Sequence, residues 1–409
     1  MRDQPSQQYF GLDIGTSVVR CVIGMIDPDD TSRLSVIGHG SALNLGMRKG
    51  SIVHIDDVVD SVIQAVTEAE RMSGVHVRGA TVNINGVHVS GINSKGVIAI
   101  SAANREIDAN DRLRVEEAAT IVQLPPNREI IQVFAKNYAV DGQDNIKDPV
   151  GMHGIRLEVD THIVTASTPS LRNIDQVFEK AKLQPSHRTV SSLASAEAVL
   201  NRQQKESGTL LLDIGAGTTN LVVVEDGEVQ HVAVIPVGGI HVTNDLAIGL
   251  KTDLDVAEKV KIQHASLASN RTKSLLRVEH EGKQHHFDPD DVHTIVEARI
   301  EELLELIDKE LKRIHRSRKL PGGVVIVGGT SKLPGLAEYT KEKLQLAARL
   351  GTLEPLGGLM DSVQDPSYAT AVGLMMLDML LVPSELLAEG QPNSGFFGLI
   401  DGVFKKLRR

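Results

Sequence analysis

The chain has 409 residues, enough for two domains with ordinary hydrophobic cores, and its hydrophobic share of 41% is that of a globular protein. A net charge of −10 argues against binding to nucleic acid, and a single cysteine, Cys21, excludes a disulfide framework. The sequence holds no run of about eighteen apolar residues, and its polar start lacks the apolar core of a signal peptide, so we expect a cytoplasmic protein.

Two segments about two hundred residues apart share one pattern. Residues 11–20 read GLDIGTSVVR and residues 211–220 read LLDIGAGTTN. In each segment an apolar strand ends on Asp-Ile-Gly, small residues fill a turn, and a second strand follows. Such a turn lets backbone N–H groups approach a phosphate. A single copy would be weak support beside an ordinary hairpin turn, but the repeat predicts two phosphate-binding hairpins.

The region between the two copies is predicted to hold an inserted subdomain at residues 86–164, whose helix starts at Asp108. The predicted elements of this region are a helix at 55–72, a strand at 80–85, the insert's helix at 113–124 and its strands at 129–139 and 155–165.

The region after the second copy is predicted to hold helices at 242–250 and 292–317, followed by a buried strand at 324–327. The strand runs into a turn formed by Gly328, Gly329, Thr330 and Ser331. The start of the helix after it offers free N–H groups and a positive dipole, and the glycines leave room for a base or ribose. The turn alone fits many α/β proteins, but after two phosphate hairpins it predicts an adenosine site.

The candidate phosphate ligands come from both hairpins. Asp13 and Asp213 end the strands and are expected to face a Mg²⁺ ion from opposite sides of a cleft, through the ion's waters, because Mg²⁺ dehydrates reluctantly. The other predicted phosphate contacts are Gly15, Thr16, Ser17, Gly215, Ala216, Gly217, Thr218 and Thr219.

These motifs together resemble the actin, Hsp70 and sugar-kinase superfamily, which has two phosphate hairpins, an adenosine turn and two connecting helices. The connecting helices match residues 192–200 and 368–374. Within the superfamily, the chain is similar to the bacterial FtsA family of cell-division proteins. That resemblance is carried by PVGGIHVTND at 236–245, AEKVKI at 257–262 and DPVGM at 148–152.

The resemblance covers nearly the whole chain and implies an α/β, actin-like fold. This is a duplicated ribonuclease-H-like, two-domain ATPase fold with an inserted α+β subdomain of the SHS2 type and a C-terminal amphipathic helix. The implied divisions are domain I at 1–85, 165–204 and 351–382, the insert at 86–164, domain II at 205–250 and 319–350, its outer partner-binding subdomain at 251–318, a linker at 383–394 and a membrane-targeting helix at 395–409.

The resemblance also implies roles for single residues. Gly238 and Gly239 would border the phosphates, and Glu258 with Lys261 would reach the ribose and adenine from one helix face. An arbitrary Glu-x-x-Lys would more often be a solvated surface pair. Related filament proteins have an acid or amide where this chain has Ser191, a weak group for orienting water. We therefore expect ATP and Mg²⁺ binding with slow or no hydrolysis, and we expect Glu197 to face elsewhere.

The last fourteen residues predict a helix that lies on a membrane. On a helical wheel its apolar side chains share one face, and its basic side chains lie on the other. The apolar residues are Phe396, Phe397, Leu399, Ile400, Val403, Phe404 and Leu407, and the basic ones are Lys405, Lys406, Arg408 and Arg409. Docking onto the protein's own body is the alternative, which the basic face, the glycines and the polar linker disfavour. Binding by one such helix is reversible, so assembly into filaments would add avidity.

The resemblance implies a protein that polymerises on the cytoplasmic face of the inner membrane at the division site and tethers the FtsZ ring there. Its implied partners are the FtsZ C-terminal peptide, further copies of itself, other division proteins and anionic lipid. Two alternatives remain. A sugar-type kinase would need an aromatic pocket that a chain with 3% aromatic residues and no tryptophan does not suggest. A pilus-assembly ATP-binding scaffold would have no reason to carry a basic amphipathic tail.

Overall fold

The computed structural model describes residues 7–26, 34–101, 104–268 and 274–381. The predicted linker at 383–394 and the predicted membrane helix at 395–409 lie outside these residues. Within the described ranges, no helix combines the length and the apolar character needed to cross a membrane.

Strands and helices alternate along the described chain. The strands are β1 Gln8–Ile14, β2 Val18–Ile26, β3 Leu34–Leu43, β4 Met47–Arg48, β5 Ser51–Ile52, β6 Gly79–Ile84, β7 Ser90–Ala99, β8 Arg128–Val140, β9 Gln143–Ile146, β10 Arg156–Ser167, β11 Gln184–Val190, β12 Thr209–Ile214, β13 Thr219–Glu225, β14 Glu228–Ile235, β15 Leu276–His280, β16 Lys283–Phe287, β17 Gly323–Val327, β18 Ala348–Leu350 and β19 Gly357–Gly358. The α-helices are α1 Ile55–Ser73, α2 Ala109–Ala119, α3 Thr168–Ala181, α4 Ser191–Val199, α5 Arg202–Ser207, α6 Gly239–Gly249, α7 Leu254–His264, α8 Pro289–Arg313, α9 Leu336–Leu344, α10 Met360–Val363 and α11 Ala369–Leu381.

Two sheets repeat one connectivity, which confirms the predicted duplication. In the first sheet the order is β11-β6-β1-β2-β3-β19, and in the second it is β14-β13-β12-β17-β18. In each, the strand that leads into a phosphate turn pairs antiparallel with the next strand and parallel with a later one, β6 or β17. The turn of an antiparallel hairpin joins the end of one strand to the start of the next. Each phosphate turn therefore lies at one end of the strands of its sheet.

The insert is a separate four-stranded sheet in the order β7-β10-β8-β9, covered by α2. As predicted, its helix starts at Asp108, whose side chain accepts from the Asp111 N–H in a capping box. The predicted end at residue 124 is wrong: the helix ends at Ala119. There the Thr120 hydroxyl donates to the Glu117 carbonyl at 2.7 Å, a local bond that competes with further helical turns.

The connecting helices α4 and α11 cross between the two sheets. Every residue of α4 is buried, so this helix is the central support of the cleft. A Cβ on Gly373 of α11 would lie 1.7 Å from the Ala194 carbonyl oxygen of α4, so only glycine permits this approach. The two connecting helices thus cross closely at two small residues, Ala194 and Gly373.

Cys21 lies in the middle of β2 and is fully buried, as its apolar neighbours predict. Burial, with a smaller contribution from Glu70, raises the pKa of its thiol to about 12. The thiol is therefore a neutral core group rather than a nucleophile.

Candidate functional site

The two predicted phosphate turns have the same geometry. The Gly15 N–H donates to the Val18 carbonyl at 3.2 Å, and the Gly215 N–H donates to the Thr218 carbonyl at 2.9 Å. Asp13 is in register with Arg20 on the partner strand, and Asp213 is in register with Asn220. The repeated sequence pattern has thus folded into two equivalent hairpins.

Both turns open into one cavity of about 180 Å³. The predicted site residues that line it are Asp13, Gly15, Thr16, Ser17, Asp213, Gly215, Ala216, Thr218, Gly328 and Gly329. The second turn also contacts the first sheet's side of the cleft: the Thr218 hydroxyl donates at 3.2 Å to the amide oxygen of Asn85, which directly follows β6. Two segments of similar sequence, distant in the chain, therefore form a single site.

The other predicted phosphate residues lie behind the cavity wall. Thr219 is the first residue of β13, and its hydroxyl donates to the Val237 carbonyl at 2.8 Å inside the core. Gly239 opens α6, and its N–H donates to the Gly215 carbonyl at 2.9 Å. The neighbouring Gly238 caps α6, where a Cβ would meet the Gly215 carbonyl oxygen at 2.6 Å. These residues support the second turn from behind.

Gly217 does not line the cavity either, because it lies against the opposite turn. A Cβ there would approach the Thr16 methyl carbon at 2.8 Å. Of the predicted adenosine turn, the Thr330 hydroxyl donates to the Gly215 carbonyl at 3.0 Å, and the Ser331 hydroxyl donates to the Gly328 carbonyl at 2.7 Å. Both hydroxyls hold backbone in position, and only the two glycines of this turn reach the cavity.

Glu258 and Lys261 share one face of α7, as their spacing predicts, with 2.6 Å between the Lys261 ammonium and the Glu258 carboxylate. The Lys261 ammonium also donates to the Thr243 hydroxyl at 2.9 Å and to the Gly239 carbonyl at 3.3 Å. Its side chain is only 20% exposed, so this is not the solvated surface pair that an arbitrary Glu-x-x-Lys would form. The pair lies beside the first turn of α6 and outside the cavity lining.

The two aspartates are almost completely buried. Burial raises the pKa of Asp13 to about 7, with Arg20 acting to lower it and Asp213 to raise it. Burial also raises the pKa of Asp213, although hydrogen bonds from Thr370 at 2.9 Å and Ser195 at 3.3 Å favour its charged form. Two buried carboxylates on one cavity are costly without a cation nearby.

The donor set fits a hydrated Mg²⁺ ion better than a fully protein-bound metal. In the described parts of the chain, no group of three or more His, Cys, Asp or Glu side chains could hold a metal. Mg²⁺ commonly binds one or two protein carboxylates, keeps several waters and binds phosphates. The two carboxylates on this cavity match that number.

Ser191 is buried at the start of α4 and lines the cavity. Its hydroxyl accepts from the Asn83 amide at 3.1 Å. Glu197 pairs with Lys205 at 2.8 Å and does not line the cavity, as expected.

Sequence reasoning missed several polar side chains of the cavity. The most notable is Arg20, the cation opposite Asp13 in the first hairpin. Asn85, Asn220, Ser367 and Thr370 line it as well. A usable signal was present for Asn83 and Asn85. They are two residues apart at the end of β6 and just after it, a spacing that places both on one face of a strand. Because β6 runs parallel to β1, it ends on the same side of the sheet as the first phosphate turn.

The duplicated sheets, the paired turns and the crossing helices define a protein with an actin-like fold. Among solved structures, a PilM–PilN type IV pilus biogenesis complex matches with a TM-score of 0.63 at 17% identity, covering 90% of this chain and 98% of the other. MreB5 of Spiroplasma citri bound to ADP matches with a TM-score of 0.55 at 12% identity, covering 94% of this chain and 99% of the other. At these identities the likeness concerns the fold alone.

Sequence relatives narrow the class further. The family model for cell division protein FtsA matches residues 210–373, and that for the SHS2 domain inserted in FtsA matches residues 86–165. The cell division protein FtsA of Pseudomonas aeruginosa is 36% identical over 377 residues, which is 91% of this chain and 89% of the relative. The cell division protein FtsA of Bacillus subtilis is 37% identical over 374 residues, which is 90% of this chain and 83% of the relative. The chain belongs to the FtsA family of cell-division proteins, and neither the kinase nor the pilus alternative is favoured.

Proposed function

We propose that this protein binds ATP with Mg²⁺ between its two hairpin turns, polymerises on the cytoplasmic face of the inner membrane at the division site, and tethers the FtsZ ring there. The observation that carries the nucleotide part is the convergence of two equivalent turns, with Asp13 and Asp213, on one cavity that also holds Arg20. A protein of the same fold, MreB5, was solved with ADP bound.

The backbone N–H groups of both turns would donate to the phosphates, and the Arg20 guanidinium would add charge-assisted bonds. Asp13 and Asp213 would hold Mg²⁺ through its waters, and bound Mg²⁺ would neutralise part of the phosphate charge. Gly328 and Gly329, with the Glu258–Lys261 pair behind them, would form the adenosine side. Of the residues of α4, Ser191 lines the cavity, and a serine hydroxyl is a weak group for orienting water, so we propose binding with slow or no hydrolysis.

The membrane part of the proposal depends on the sequence pattern of residues 396–409. The pattern predicts seven apolar side chains on one helical face, which would insert into the lipid. Four of the last five residues are basic and would attract anionic headgroups. Because one such helix binds reversibly, a filament that presents many copies would hold the membrane far longer.

The FtsZ peptide would dock on the outer subdomain, which consists of α7, the β15–β16 hairpin and α8. The sequence offers five basic residues in this region as contacts for an acidic peptide, Lys259, Lys261, Arg271, Lys273 and Arg277. Lys261 is engaged by the Glu258 carboxylate, and Arg271 and Lys273 lie outside the described residues. Lys259, whose ammonium donates to the Glu279 carbonyl, and Arg277 are the better candidates.

Liposome co-sedimentation of the full chain tests the proposal. Phe396→Glu with Phe404→Glu should release the protein from anionic liposomes, because two charges on the apolar face prevent insertion. A matched control, Leu386→Glu with Leu387→Glu in the linker, adds the same charge and should leave binding intact. Addition of ATP should increase the bound fraction of the wild type. Equal binding by the Phe variant and the wild type would contradict the membrane role.

A further inference from the structure

We propose that Tyr368 is a positioning residue of the nucleotide site, whose ring holds the Arg20 guanidinium toward the phosphates and links that cation to the adenosine turn. The inference rests on the proposed ATP binding and adds a residue that does not itself line the cavity.

The first observation is the contact between the two side chains. The central carbon of the Arg20 guanidinium lies 5.2 Å from the centroid of the Tyr368 ring, within the range of about 6 Å for a cation–π interaction. The His39 ring meets the same tyrosine edge-on, with centroids 5.9 Å apart. Arg20 and His39 come from the neighbouring strands β2 and β3, so the Tyr368 ring packs against this corner of the first sheet.

The second observation concerns the hydrogen bonds of the guanidinium. Arg20 Nε is buried and has no hydrogen-bond partner among the described residues. A guanidinium that packs against a ring and leaves an N–H without a partner keeps that donor available for a ligand. Arg20 lines the cavity, so a phosphate there would be the natural acceptor of these bonds.

The third observation concerns the other end of the tyrosine. Tyr368 is the last residue of a 3-10 turn, Pro366–Tyr368. The Gly328 N–H donates to the Pro366 carbonyl at 3.1 Å, so this turn is bonded directly to the predicted adenosine turn. The Tyr368 N–H donates to the Asp365 carbonyl at 2.9 Å, and Asp365 forms an ion pair with Lys332. Movement at the adenosine turn would therefore move the ring on which Arg20 rests.

A merely structural role makes a different prediction. Tyr368 is half-buried and packs partly against the central core, so its loss could disturb the whole cleft. Such damage would weaken the binding of adenosine and of ATP by the same factor. A positioning role weakens only the part of the affinity that comes from the phosphates, because adenosine has no phosphate for Arg20 to bind.

The test compares three full-length proteins: the wild type, Tyr368→Phe and Tyr368→Leu. Their affinities for ATP and for adenosine are measured by equilibrium titration, and thermal unfolding checks that each is folded. Tyr368→Leu should lower ATP affinity about three- to tenfold, the usual size of a partly buried cation–π contact, and change adenosine affinity less than about twofold. Tyr368→Phe keeps the ring and should behave like the wild type. Tyr368→Met replaces the Leu variant if the latter does not fold.

Further results separate the outcomes. In an Arg20→Ala background, Tyr368→Leu should cause no additional loss of ATP affinity, because the two side chains act as one unit. Equal losses for ATP and adenosine, or unchanged ATP binding, would overturn the role of Tyr368 and leave the nucleotide site standing. A wild type that binds no ATP would overturn both the proposed function and this inference.

Discussion

The Asn83 side-chain amide donates to Asp13 Oδ1 at 2.7 Å, while its amide oxygen accepts from the Ile14 backbone N–H at 2.8 Å. Asn83 belongs to β6 and Asp13 to β1, two parallel neighbours in the first sheet. One strand thus orients the carboxylate of the next at the start of the first phosphate turn. The same Asn83 amide also donates to Ser191, which joins the turn to the first connecting helix.

Replacing Asn83 should therefore damage both stability and the site. Asn83→Ala leaves the buried Ile14 N–H without its acceptor and Asp13 without its amide donor, at a cost of about 1–3 kcal/mol in the free energy of unfolding. Urea unfolding measures the loss. Gln184→Ala, an exposed change on the neighbouring strand β11, is the control and should cost far less. A loss for Asn83→Ala no larger than that of the control would show that the amide does not hold the turn.

Arg20 should be a principal contributor to phosphate affinity. It is the cation opposite Asp13 that lines the cavity, and charge-assisted hydrogen bonds contribute about 1.5–3 kcal/mol each. Arg20→Ala should thus weaken ATP binding by roughly tenfold or more. Arg71→Ala removes an exposed cation in the last turn of α1 and serves as the control for net charge. Similar ATP affinities for the two variants would argue against a phosphate contact by Arg20.

Gly217 allows the two turns to touch. An added Cβ would lie 2.8 Å from the Thr16 methyl carbon and 2.9 Å from its hydroxyl oxygen, closer than such contacts permit. Gly217→Ala should push the turns apart and weaken ATP binding. Combining it with Thr16→Ser removes the obstructing methyl group and should restore part of the affinity. No difference between the single and the double variant would mean that the turns separate for another reason.

The insert also contacts the second sheet through a buried histidine. His162 of β10 accepts from the Val232 N–H of β14 at 3.0 Å, and its other ring nitrogen lies 2.8 Å from the Asn93 amide oxygen. Its ring is edge-on to that of His231, with centroids 5.3 Å apart. Because the nitrogen that faces Val232 must be an acceptor, His162 is neutral in the folded protein.

This histidine predicts a pH dependence of stability. Burial, with smaller effects of His231 and Lys136, lowers the pKa of His162 to about 3, below the value of about 6.5 in an unfolded chain. Between these values His162 binds more protons in the unfolded chain, so its contribution to stability falls as pH falls below 6.5, by up to about 1.4 kcal/mol per pH unit. Urea unfolding at pH 7.5 and 5.5 measures the slope.

The matched variants are His162→Gln, which removes the contribution of this histidine and should reduce the loss of stability between pH 7.5 and 5.5, and the exposed His286→Gln, which should leave that loss unchanged. The comparison uses the slope rather than the absolute stability, because His162→Gln also changes packing. An unchanged slope in His162→Gln would place the acid-sensitive group elsewhere.

The sequence was sufficient for those parts of the site that depend on local pattern. Asp13 and Asp213 were predicted because each lies at the end of a buried strand before a glycine turn, and Gly328 because it directly follows a buried strand. The face shared by Glu258 and Lys261 followed from helical spacing alone.

The rest depended on tertiary contacts that no local pattern encodes. Arg20 and Tyr368 lie more than three hundred residues apart in the chain, and their stacking arises from the close approach of α11 to the first sheet. Strand β7 was missed because its glycines, Gly91 and Gly96, and its alternating exposure give a weak strand pattern. Its pairing with β10 supplies the stability that its sequence lacks.

The most direct test of the nucleotide site is a structure of the full chain with ATP and Mg²⁺, determined by cryo-electron microscopy on an anionic lipid monolayer. The expected result is phosphate density between the turns at residues 15–18 and 215–218, a Mg²⁺ ion between Asp13 and Asp213, and the base beside Gly328. Nucleotide bound elsewhere on the protein, or a cleft that stays empty at saturating ATP, would contradict the proposed site.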